Sequence, residues 1–350
     1  MSEMQIIQLD EVFKCSLFKQ EVDFRNHKFV VNQKELIIVG LIQDEPQTLQ
    51  VEVKNIEYKC SWIKQENWSS VRPTIIVCAK DNLPLLKKTL ENFKEFKITS
   101  QANIIIVDDR STEDLKTVVL ENKLSYLRVD NEKGFNFSML NNIAAYIVKK
   151  IGGSQIVLWN SDLWCANRDS FNELLKRHRD NSSTISGTKL IYPPKHISMR
   201  KEDINTTTAR KVQNWRETVQ FGGSLWRPGP QFFMTLAPDH LHRFRNPLDS
   251  RVNCDKGETF VTGALQVIDL VWFIKIGGLN PSLSKVFQDV DLCLRALEDK
   301  KTVSYFGKNL FFYHDESVSI IKEGREDTQF ASDHYAFGQI WNQKIVDLVE

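Results

Sequence analysis

Neither sign of charge is in excess in this sequence. The 350 residues include 46 lysines and arginines and 45 aspartates and glutamates, which leaves a formal net charge of +1. A protein that binds nucleic acid through the phosphate backbone is usually far more basic, so we expect no nucleic-acid partner. With 41% hydrophobic and 26% charged residues, the composition is that of a folded globular chain and excludes extensive disorder.

Long hydrophobic runs are also missing. Purely apolar stretches are short, for example residues 36–39 and 104–107, whereas a helix that crosses a bilayer needs about 20 consecutive, mainly apolar residues. Residues 1–5 contain neither the basic nor the apolar region of a secretion signal. We therefore expect a cytoplasmic protein. Its near-neutral charge allows, without predicting it, peripheral association with the inner face of a membrane.

Motifs for metal, redox or phosphate binding are scarce. The six cysteines are scattered and form no C-x-x-C pair, which argues against a zinc knuckle, a redox centre or a disulfide framework and indicates reduced thiols. Neither the G-x-G-x-x-G fingerprint nor the G-x-x-x-x-G-K-[ST] loop occurs. Dinucleotide-binding proteins and P-loop proteins are therefore poor candidates.

What the sequence does contain, from residue 72 onward, is an alternation of buried-type strands and helices. Four short apolar runs rich in β-branched residues are each followed by a stretch with helical spacing; the runs are 74–79, 103–107, 125–129 and 155–159. This alternation predicts βαβ units and an α/β fold with a Rossmann-like, doubly wound, mostly parallel sheet.

The chain is too long for one ordinary core, and its pattern changes near residue 70. Residues 1–70 contain short apolar stretches separated by polar breaks, which is typical of a small β-rich module. We expect this accessory module to be followed by a main α/β domain over 71–322 and by a C-terminal helical tail over 323–350.

Polar residues directly follow three of the predicted strands. They are Lys80-Asp81, Asp108-Asp109 and Asn160-Ser161-Asp162. Ligands of open parallel sheets bind outside the carboxyl ends of the strands, so these groups are the first candidates for a site. Carboxylates there would repel a bare diphosphate. The carboxylates are compatible with a bound nucleotide if a divalent cation lies between them and the diphosphate, or if a carboxylate accepts a hydrogen bond from an N–H of the base or from a ribose hydroxyl.

Several segments resemble the motifs of family 2 glycosyltransferases of GT-A fold and occur in that family's order. The resemblance covers about 75–320, and its segments are 74–81, 104–111, 134–144, 157–162, 221–223, 261–264 and 287–295, with a closing His motif at 313–317. It implies an inverting transfer of a sugar from a nucleotide-diphosphate donor, of UDP or dTDP type, to a hydroxyl of a glycan or lipid-linked glycan. The setting that it implies is surface polysaccharide biosynthesis.

The resemblance assigns nucleotide contacts to residues at the strand ends and on the helix around 140–148. Asp109 matches the acid that contacts the base, and Lys80 and Asp81 resemble a variant of the family's first motif. A capped turn is the alternative for Asp108 and Asp109, and helix capping is the alternative for at least one of the asparagines. The residues expected around the nucleotide are Cys78, Lys80, Asp81, Asp108, Asp109, Asn136, Asn142, Asn160 and Ser161.

The family's D-x-D motif, which carries the cation that holds the diphosphate, falls on Asn160-Ser161-Asp162, so an amide replaces its first acid. His314 resembles the histidine of the family's closing motif, which is the third residue beside the metal after the two positions of the D-x-D motif. Asp162 and His314, with phosphate oxygens and waters, would complete an octahedron suited to Mn²⁺ or Mg²⁺. The alternative for His314 is a surface residue on a polar loop.

The same resemblance places the catalytic base, the group that deprotonates the acceptor hydroxyl, on Asp289, with Asp291 as the second candidate. Gln288 stands where many relatives have glutamate. Asp289 is expected to open a helix, whose positive end favours the ionised form that a base needs. A simple helix cap at Asp289, with Asp291 as an acid of the first turn, is the alternative.

Two other functions are compatible with such a fold. A sugar-phosphate nucleotidyltransferase normally has a loop rich in Gly, Arg and Lys after its first strand, and residues 78–81 do not match it. A non-catalytic module that binds a glycan or a nucleotide would explain the loss of acids at Asn160 and Gln288, because fold alone does not give function. The acids and the histidine retained at the other motif positions favour the enzyme.

Overall fold

The computed structural model describes residues 60–130, 134–194, 216–229, 234–315 and 331–349, the helical backbone of 328–330, and the backbone of several strands between residues 5 and 59. The chain forms two compact units, each composed of three segments. The first unit comprises Met1–Leu83, Ala102–Ile156 and Asp269–Ser284, and the second comprises Pro84–Gln101, Val157–Ile268 and Lys285–Glu350.

Strands and helices alternate through much of the chain. In chain order the strands are β1 (Gln5–Ile7), β2 (Glu21–Phe24), β3 (His27–Val30), β4 (Ile37–Gly40), β5 (Gln47–Val53), β6 (Ile56–Ile63), β7 (Thr74–Ala79), β8 (Asn103–Asp108), β9 (Ser125–Asp130), β10 (Gln155–Trp159), β11 (Leu163–Cys165), β12 (Ile185–Ile191), β13 (Val219–Phe221), β14 (Ser224–Pro228), β15 (Leu236–His240), β16 (Asp255–Gly257), β17 (Leu265–Asp269) and β18 (Val303–His314). The helices are α1 (Leu83–Glu95), α2 (Ile98–Gln101), α3 (Leu115–Glu121), α4 (Phe137–Lys150), α5 (Ser170–Asp180), α6 (Leu270–Lys275), α7 (Gln288–Glu298), α8 (Thr328–Trp341) and α9 (Ile345–Val349).

Strands of the first unit lie in one sheet in the order β1-β4-β5-β6-β9-β8-β7. The pairs β7/β8 and β8/β9 are parallel, with Ile76 opposite Ile105 in the first of them. The pair β6/β9 is antiparallel, with Cys60 opposite Val129, and the strands before it are antiparallel to one another. The N-terminal strands therefore extend the parallel part of the sheet at the β9 edge. The domain boundary at residue 70 stays a prediction.

Burial on both faces explains why the parallel strands are uniformly apolar. Residues 75–77 of β7 and 104–107 of β8 are fully buried, and strands covered on both faces read as continuous hydrophobic runs. The helix α4 packs against both strands. Its residues Leu140, Ile143 and Ile147 recur at helical spacing and are buried.

In the second unit, β12 and β18 form a parallel pair that is flanked by the antiparallel strands β17 and β11. Short strands β13 and β16 are antiparallel to β12 and β18, and β14 and β15 form a separate hairpin. Trp159, at the end of β10, is a large buried core side chain. Its ring meets those of Phe93, Phe171 and Phe312 edge to face, at centroid distances of 5.2, 6.0 and 5.6 Å. This aromatic cluster fixes the carboxyl end of β10.

The predicted α/β fold class is confirmed. The four predicted apolar runs correspond to β7, β8, β9 and β10, with helices between them along the chain. Antiparallel strands flank the parallel pairs in both units. Among the helices in the described part of the chain, none has the length and apolarity that a bilayer span requires.

Candidate active site

The loops after β7 and β8 are tied to each other in the first unit. Asp81 has a left-handed backbone (φ 51°). Its Oδ1 accepts hydrogen bonds from the Thr112 N–H at 2.7 Å, the Thr112 hydroxyl at 2.9 Å and the Glu113 N–H at 3.1 Å. Partial burial opposes ionisation, but the bonds from Glu113 and Thr112 lower the pKa of the Asp81 carboxyl below its ordinary value. Asp81 is therefore an anchor between the two loops.

Asp108, at the end of β8, is fully buried among hydrogen-bond donors. Its Oδ1 accepts from the Ser111 N–H at 2.8 Å, and its Oδ2 accepts from the Tyr126 hydroxyl and from Arg128 Nη1 at 3.0 Å. Burial and the bond to Asp108 both raise the pKa of Tyr126, so the phenol stays a donor. The carboxylate is thus buried and held by three donors of the protein itself, so the geometry favours the capped turn at this position.

Asp109 is the acid that pairs with Lys80. It is fully buried, and its N–H donates to the Ala79 carbonyl oxygen at 2.9 Å. Its Oδ2 lies 3.2 Å from Lys80 Nζ, and the Lys80 side chain is 42% exposed. Two of the residues predicted at the strand ends are thus brought together, and they combine an accessible cation with a buried acceptor.

The other residues predicted to contact a nucleotide in this unit have polar atoms that the protein itself engages. Burial, together with the neighbouring Asp109, raises the pKa of the Cys78 thiol, which therefore stays protonated. Asn136 caps α4 and donates from Nδ2 to a backbone carbonyl oxygen at 3.0 Å. Asn142 is bonded through both amide atoms to the backbone of Leu279, at 2.8 Å each. The structure thus gives both asparagines a role in holding the backbone.

In the second unit, three predicted site residues come together after β10 and at the end of β18. The antiparallel pair β11/β18 sets Leu163 opposite His314. His314 Nε2 lies 3.3 Å from Asp162 Oδ1 and 3.4 Å from Asn160 Nδ2. His314 is buried, so it lies in the interior and not on the surface of a polar loop.

Backbone contacts hold this arrangement in place. The Asp315 N–H donates to the Asp162 carbonyl oxygen at 3.0 Å, and the Asn160 N–H donates to that of Ala264 at 3.0 Å. The carbonyl oxygen of Ser161 accepts from Thr89 Oγ1 at 2.5 Å. The turn after β10 is therefore fixed to neighbouring elements at each of its three residues.

The donor set can be compared with what Mn²⁺ or Mg²⁺ requires. Two cis ligands about 2.1 Å from an octahedral cation lie roughly 3.0 Å apart, and Asp162 Oδ1 and His314 Nε2 are 3.3 Å apart. Asn160 can present Oδ1 in place of Nδ2, because the two ends of an amide are assigned from their hydrogen-bond partners. Within the described residues, no group of three or more His, Cys, Asp or Glu side chains could hold a metal ion. The cluster therefore fits a cation that takes most of its ligands from elsewhere.

Asp289 lies in the first turn of α7 and not at its cap. The helix begins at Gln288, and the cap position is Phe287, so the alternative of a cap at Asp289 does not hold. The Asp289 side chain accepts hydrogen bonds at Oδ2 from the Gly263 N–H at 2.6 Å and at Oδ1 from the Val290 N–H at 2.9 Å. Two backbone donors from different segments thus fix the carboxylate.

Burial dominates the protonation of Asp289. It raises the pKa of the carboxyl above its ordinary value, and the N–H groups of Gly263 and Val290 and the nearby His240 offset only part of this effect. The prediction that the positive helix end keeps Asp289 ionised is therefore not supported, because the net shift of the pKa is upward. A carboxylate of raised pKa binds a proton more strongly than an exposed aspartate does, which suits a general base.

Asp291, the second candidate base, is held in a buried ion pair. Its Oδ2 accepts from Arg295 Nε at 2.9 Å and lies 2.8 Å from Arg295 Nη2. Its Oδ1 accepts from Trp341 Nε1 at 3.1 Å. Asp291 is paired with a guanidinium and with an indole N–H, whereas Asp289 accepts only two backbone N–H groups. The geometry therefore favours Asp289 as the base.

Two buried charged contacts were not anticipated from the sequence. Arg216 Nη1 lies 3.3 Å from Asp315 Oδ1, and Asp333 of α8 accepts two backbone N–H groups from the loop before α7. Arg216 and Asp333 lie in no recognisable motif. Their contacts join residues distant in the sequence, which local spacing does not reveal. One signal was present for Asp333, which shares a helical face with Phe337 and Trp341 and so occupies a core position.

Comparison of the whole chain with known proteins gives only remote similarities. No family model matches the chain. The curated protein y4gI of Sinorhizobium fredii, which is described as uncharacterized, is 28% identical over 271 residues, covering 73% of this chain and 25% of that protein. The chain thus spans about a quarter of the length of this curated relative.

Among solved structures the chain is similar to several that contain a nucleotide or a nucleotide sugar. GalNAc-T7 with UDP, GalNAc and Mn²⁺ is 12% identical, with 71% of this chain and 44% of that chain covered and a TM-score of 0.49. The mannosyltransferase PcManGT from Pyrobaculum calidifontis with GDP-Man and Mn²⁺ is 12% identical, with coverages of 82% and 75% and a TM-score of 0.44. S. aureus TarS with UDP-GlcNAc is 14% identical, with coverages of 73% and 61% and a TM-score of 0.42. At these TM-scores the similarity is remote, and no activity follows from it.

Proposed function

We propose that the chain is an inverting glycosyltransferase that uses a nucleotide-diphosphate sugar. The observation that carries the proposal is the convergence of Asn160, Asp162 and His314, in the same unit as Asp289, a carboxylate of raised pKa. The order of the motifs along the sequence is the second support. A cation-binding pair and a general base are the two groups that such a transfer needs.

Asp289 acts on the acceptor. The acceptor oxygen forms its bond to the anomeric carbon while the bond from that carbon to the diphosphate oxygen breaks, and the hydroxyl proton passes to the Asp289 carboxylate. The diphosphate leaves with the electron pair of the broken bond. The N–H groups of Gly263 and Val290 hold the carboxylate in place during this step, so that its remaining lone pairs can take the proton.

Asp162 and His314 are the residues that would hold Mn²⁺ or Mg²⁺, with Asn160 beside them. A divalent cation there would neutralise the charge that develops on the departing nucleoside diphosphate. One carboxylate, one neutral imidazole and one amide carry a single negative charge, so these residues alone bind a cation weakly. We therefore expect the cation and the nucleoside diphosphate to bind together.

In the first unit, we assign nucleotide recognition to Asp109 and Lys80. An ionised carboxylate is an acceptor only, which matches the N–H of a uracil or thymine base and favours a UDP- or dTDP-type donor. The exposed ammonium of Lys80 offers a positive charge to a phosphate. Asp81 and Asp108 support these residues by anchoring the loops in which they lie.

The acceptor class that we propose is a hydroxyl of a glycan or lipid-linked glycan, in the assembly of a surface polysaccharide. This part of the proposal rests on the sequence resemblance to family 2 glycosyltransferases. Residues 1–70, as an accessory module, and the tail over 323–350 lie outside that resemblance.

Thermal unfolding with UDP, GDP, dTDP, CMP and ATP, each with and without Mn²⁺, tests the proposal. A ligand that binds only the native state adds about 2.7 kcal/mol to the free energy of unfolding at a hundredfold excess over Kd. We expect UDP or dTDP to raise the Tm only with the cation, and Asp162→Ala to abolish the rise. Asp180→Ala, which removes an exposed ion pair with Lys176, is the matched control. A rise that needs no cation and persists in Asp162→Ala would favour a nucleotide-binding module over the transferase.

A further inference from the structure

Helix α8, which precedes the short C-terminal helix α9, holds the loop that leads into α7. Asp333 is fully buried, and its Oδ2 accepts hydrogen bonds from the Lys285 N–H at 2.7 Å and from the Val286 N–H at 3.0 Å. These two N–H groups come just before the start of α7. A single carboxylate oxygen that accepts from two consecutive N–H groups fixes the course of the backbone there, because both peptide planes must point toward it.

Phe287, the next residue, is held by the same helix. Its backbone is left-handed (φ 65°), a conformation that bulky residues rarely adopt and that their surroundings must impose. Its ring packs against the ring of His334 at a centroid distance of 4.6 Å and against that of Phe337 at 5.0 Å. The strained turn that starts α7 is therefore stabilised by side chains of α8.

A third contact is made within the first turn of α7. Trp341 Nε1 donates to Asp291 Oδ1 at 3.1 Å, and Arg295 holds the other carboxylate oxygen. Asp333, Phe337 and Trp341 are four residues apart in sequence, so they lie along one face of α8. That face contacts both the loop before α7 and the first turn of α7.

We propose that α8 is a brace that positions Asp289, with Asp333 and Trp341 as its positioning residues. Asp289 lies between two residues that α8 contacts directly, Phe287 on one side and Asp291 on the other. The inference rests on the proposed function, since it takes Asp289 to be the base. Asp333 and Trp341 act through α7 and not on the substrate. Helix α8, which lies outside the sequence resemblance, is then required for turnover.

The bond of 2.6 Å from the Gly263 N–H to Asp289 Oδ2 reports on the position of the base. If the loop at 285–287 loosens, Asp289 shifts relative to Gly263 and this bond weakens. A misplacement of about 1 Å in a catalytic group can lower turnover roughly 100-fold. Donor binding should change little, because the brace contacts neither Asp162 nor His314 in the bonds described above.

The test compares Asp333→Ala, Asp333→Asn and Trp341→Phe with the wild type and with the surface control Asp180→Ala. Hydrogen–deuterium exchange is measured at the amides of 285, 286 and 263, and release of nucleotide from a UDP- or dTDP-sugar with Mn²⁺ gives kcat and KM. We expect Asp333→Ala to accelerate exchange at these amides roughly tenfold and to lower kcat roughly 10- to 100-fold with KM nearly unchanged. Asp333→Asn keeps an acceptor oxygen and should restore most of both values.

If exchange at the Gly263 amide were unchanged in Asp333→Ala, the proposal that α8 positions Asp289 would be wrong. An increase in exchange spread evenly over the unit would also contradict it, because that pattern indicates general destabilisation. If Asp333→Ala does not fold, Trp341→Phe, which keeps an aromatic ring and removes the N–H donor, gives the same two readouts. If the wild type releases no nucleotide from any donor, the proposed function fails, and exchange at the Gly263 amide still decides whether α8 positions Asp289.

Discussion

Replacing Gly263 by alanine should misplace the proposed base. A Cβ on Gly263 would lie 2.9 Å from Asp289 Cβ and 3.3 Å from its Oδ2. Packed carbon atoms normally approach to about 3.5–4.0 Å, so Asp289 would have to retreat by roughly 0.6–1 Å. The Asp289 Cβ is fixed to the backbone of α7, so a change of rotamer cannot relieve the contact.

The expected result of Gly263→Ala is a loss of turnover without a loss of donor binding. A shift of this size also disturbs the 2.6 Å bond from the Gly263 N–H. We expect kcat for nucleotide release to fall roughly 10- to 100-fold while KM for the donor stays nearly constant. Gly257→Ala is the matched control, because a Cβ there meets nothing within 4 Å. Equal kcat values for the two variants, with both folded by circular dichroism, would refute the reasoning.

The remaining predictions concern pH, cation affinity and stability. Activity should be present above the raised pKa of Asp289 and be lost as the pH falls through it, so the acid limb of kcat/KM should lie above that of an exposed aspartate; a limb near pH 4 would contradict this. His314→Ala should raise, roughly tenfold or more, the Mn²⁺ concentration needed for nucleotide-dependent stabilisation in thermal unfolding, and an unchanged requirement would remove His314 from the cation site. Asp108→Ala should lower the free energy of unfolding by about 2–3 kcal/mol in chemical denaturation, because it removes the buried acceptor of Tyr126 and Arg128. Asp109→Asn should instead weaken nucleotide binding. If Asp108→Ala weakened nucleotide binding and Asp109→Asn lowered the stability, the roles assigned to the two acids would be exchanged.

The parallel strands could be located from the sequence because burial on both faces leaves a local signature. The predicted runs 74–79 and 155–159 coincide with β7 and β10, and the other two runs end one residue before β8 and β9 do. The antiparallel pairing of β6 with β9 was not predictable. It joins residues far apart in the sequence, and no periodic pattern marks which strand edge accepts a partner.

At the candidate site, the order of motifs predicted which residues lie together but not what each acid does. Asp162 and His314 are far apart in sequence and 3.3 Å apart in space. Asp108 and Asp109 are adjacent, and the structural role of Asp108 depends on Tyr126, which a single motif does not include. The direction of the Asp289 pKa shift likewise depends on burial, which an argument from the helix end leaves out.

Release of nucleotide from UDP- and dTDP-sugars, followed with and without Mn²⁺, tests the central claim most directly. Water can serve as the acceptor, so the natural acceptor need not be known. We predict cation-dependent release that is lost in Asp162→Ala and strongly reduced in Asp289→Asn, while Asp289→Asn still shows the nucleotide-dependent rise in Tm. A wild-type protein that binds a nucleoside diphosphate but releases none from any donor would contradict the account and identify a non-catalytic binding module.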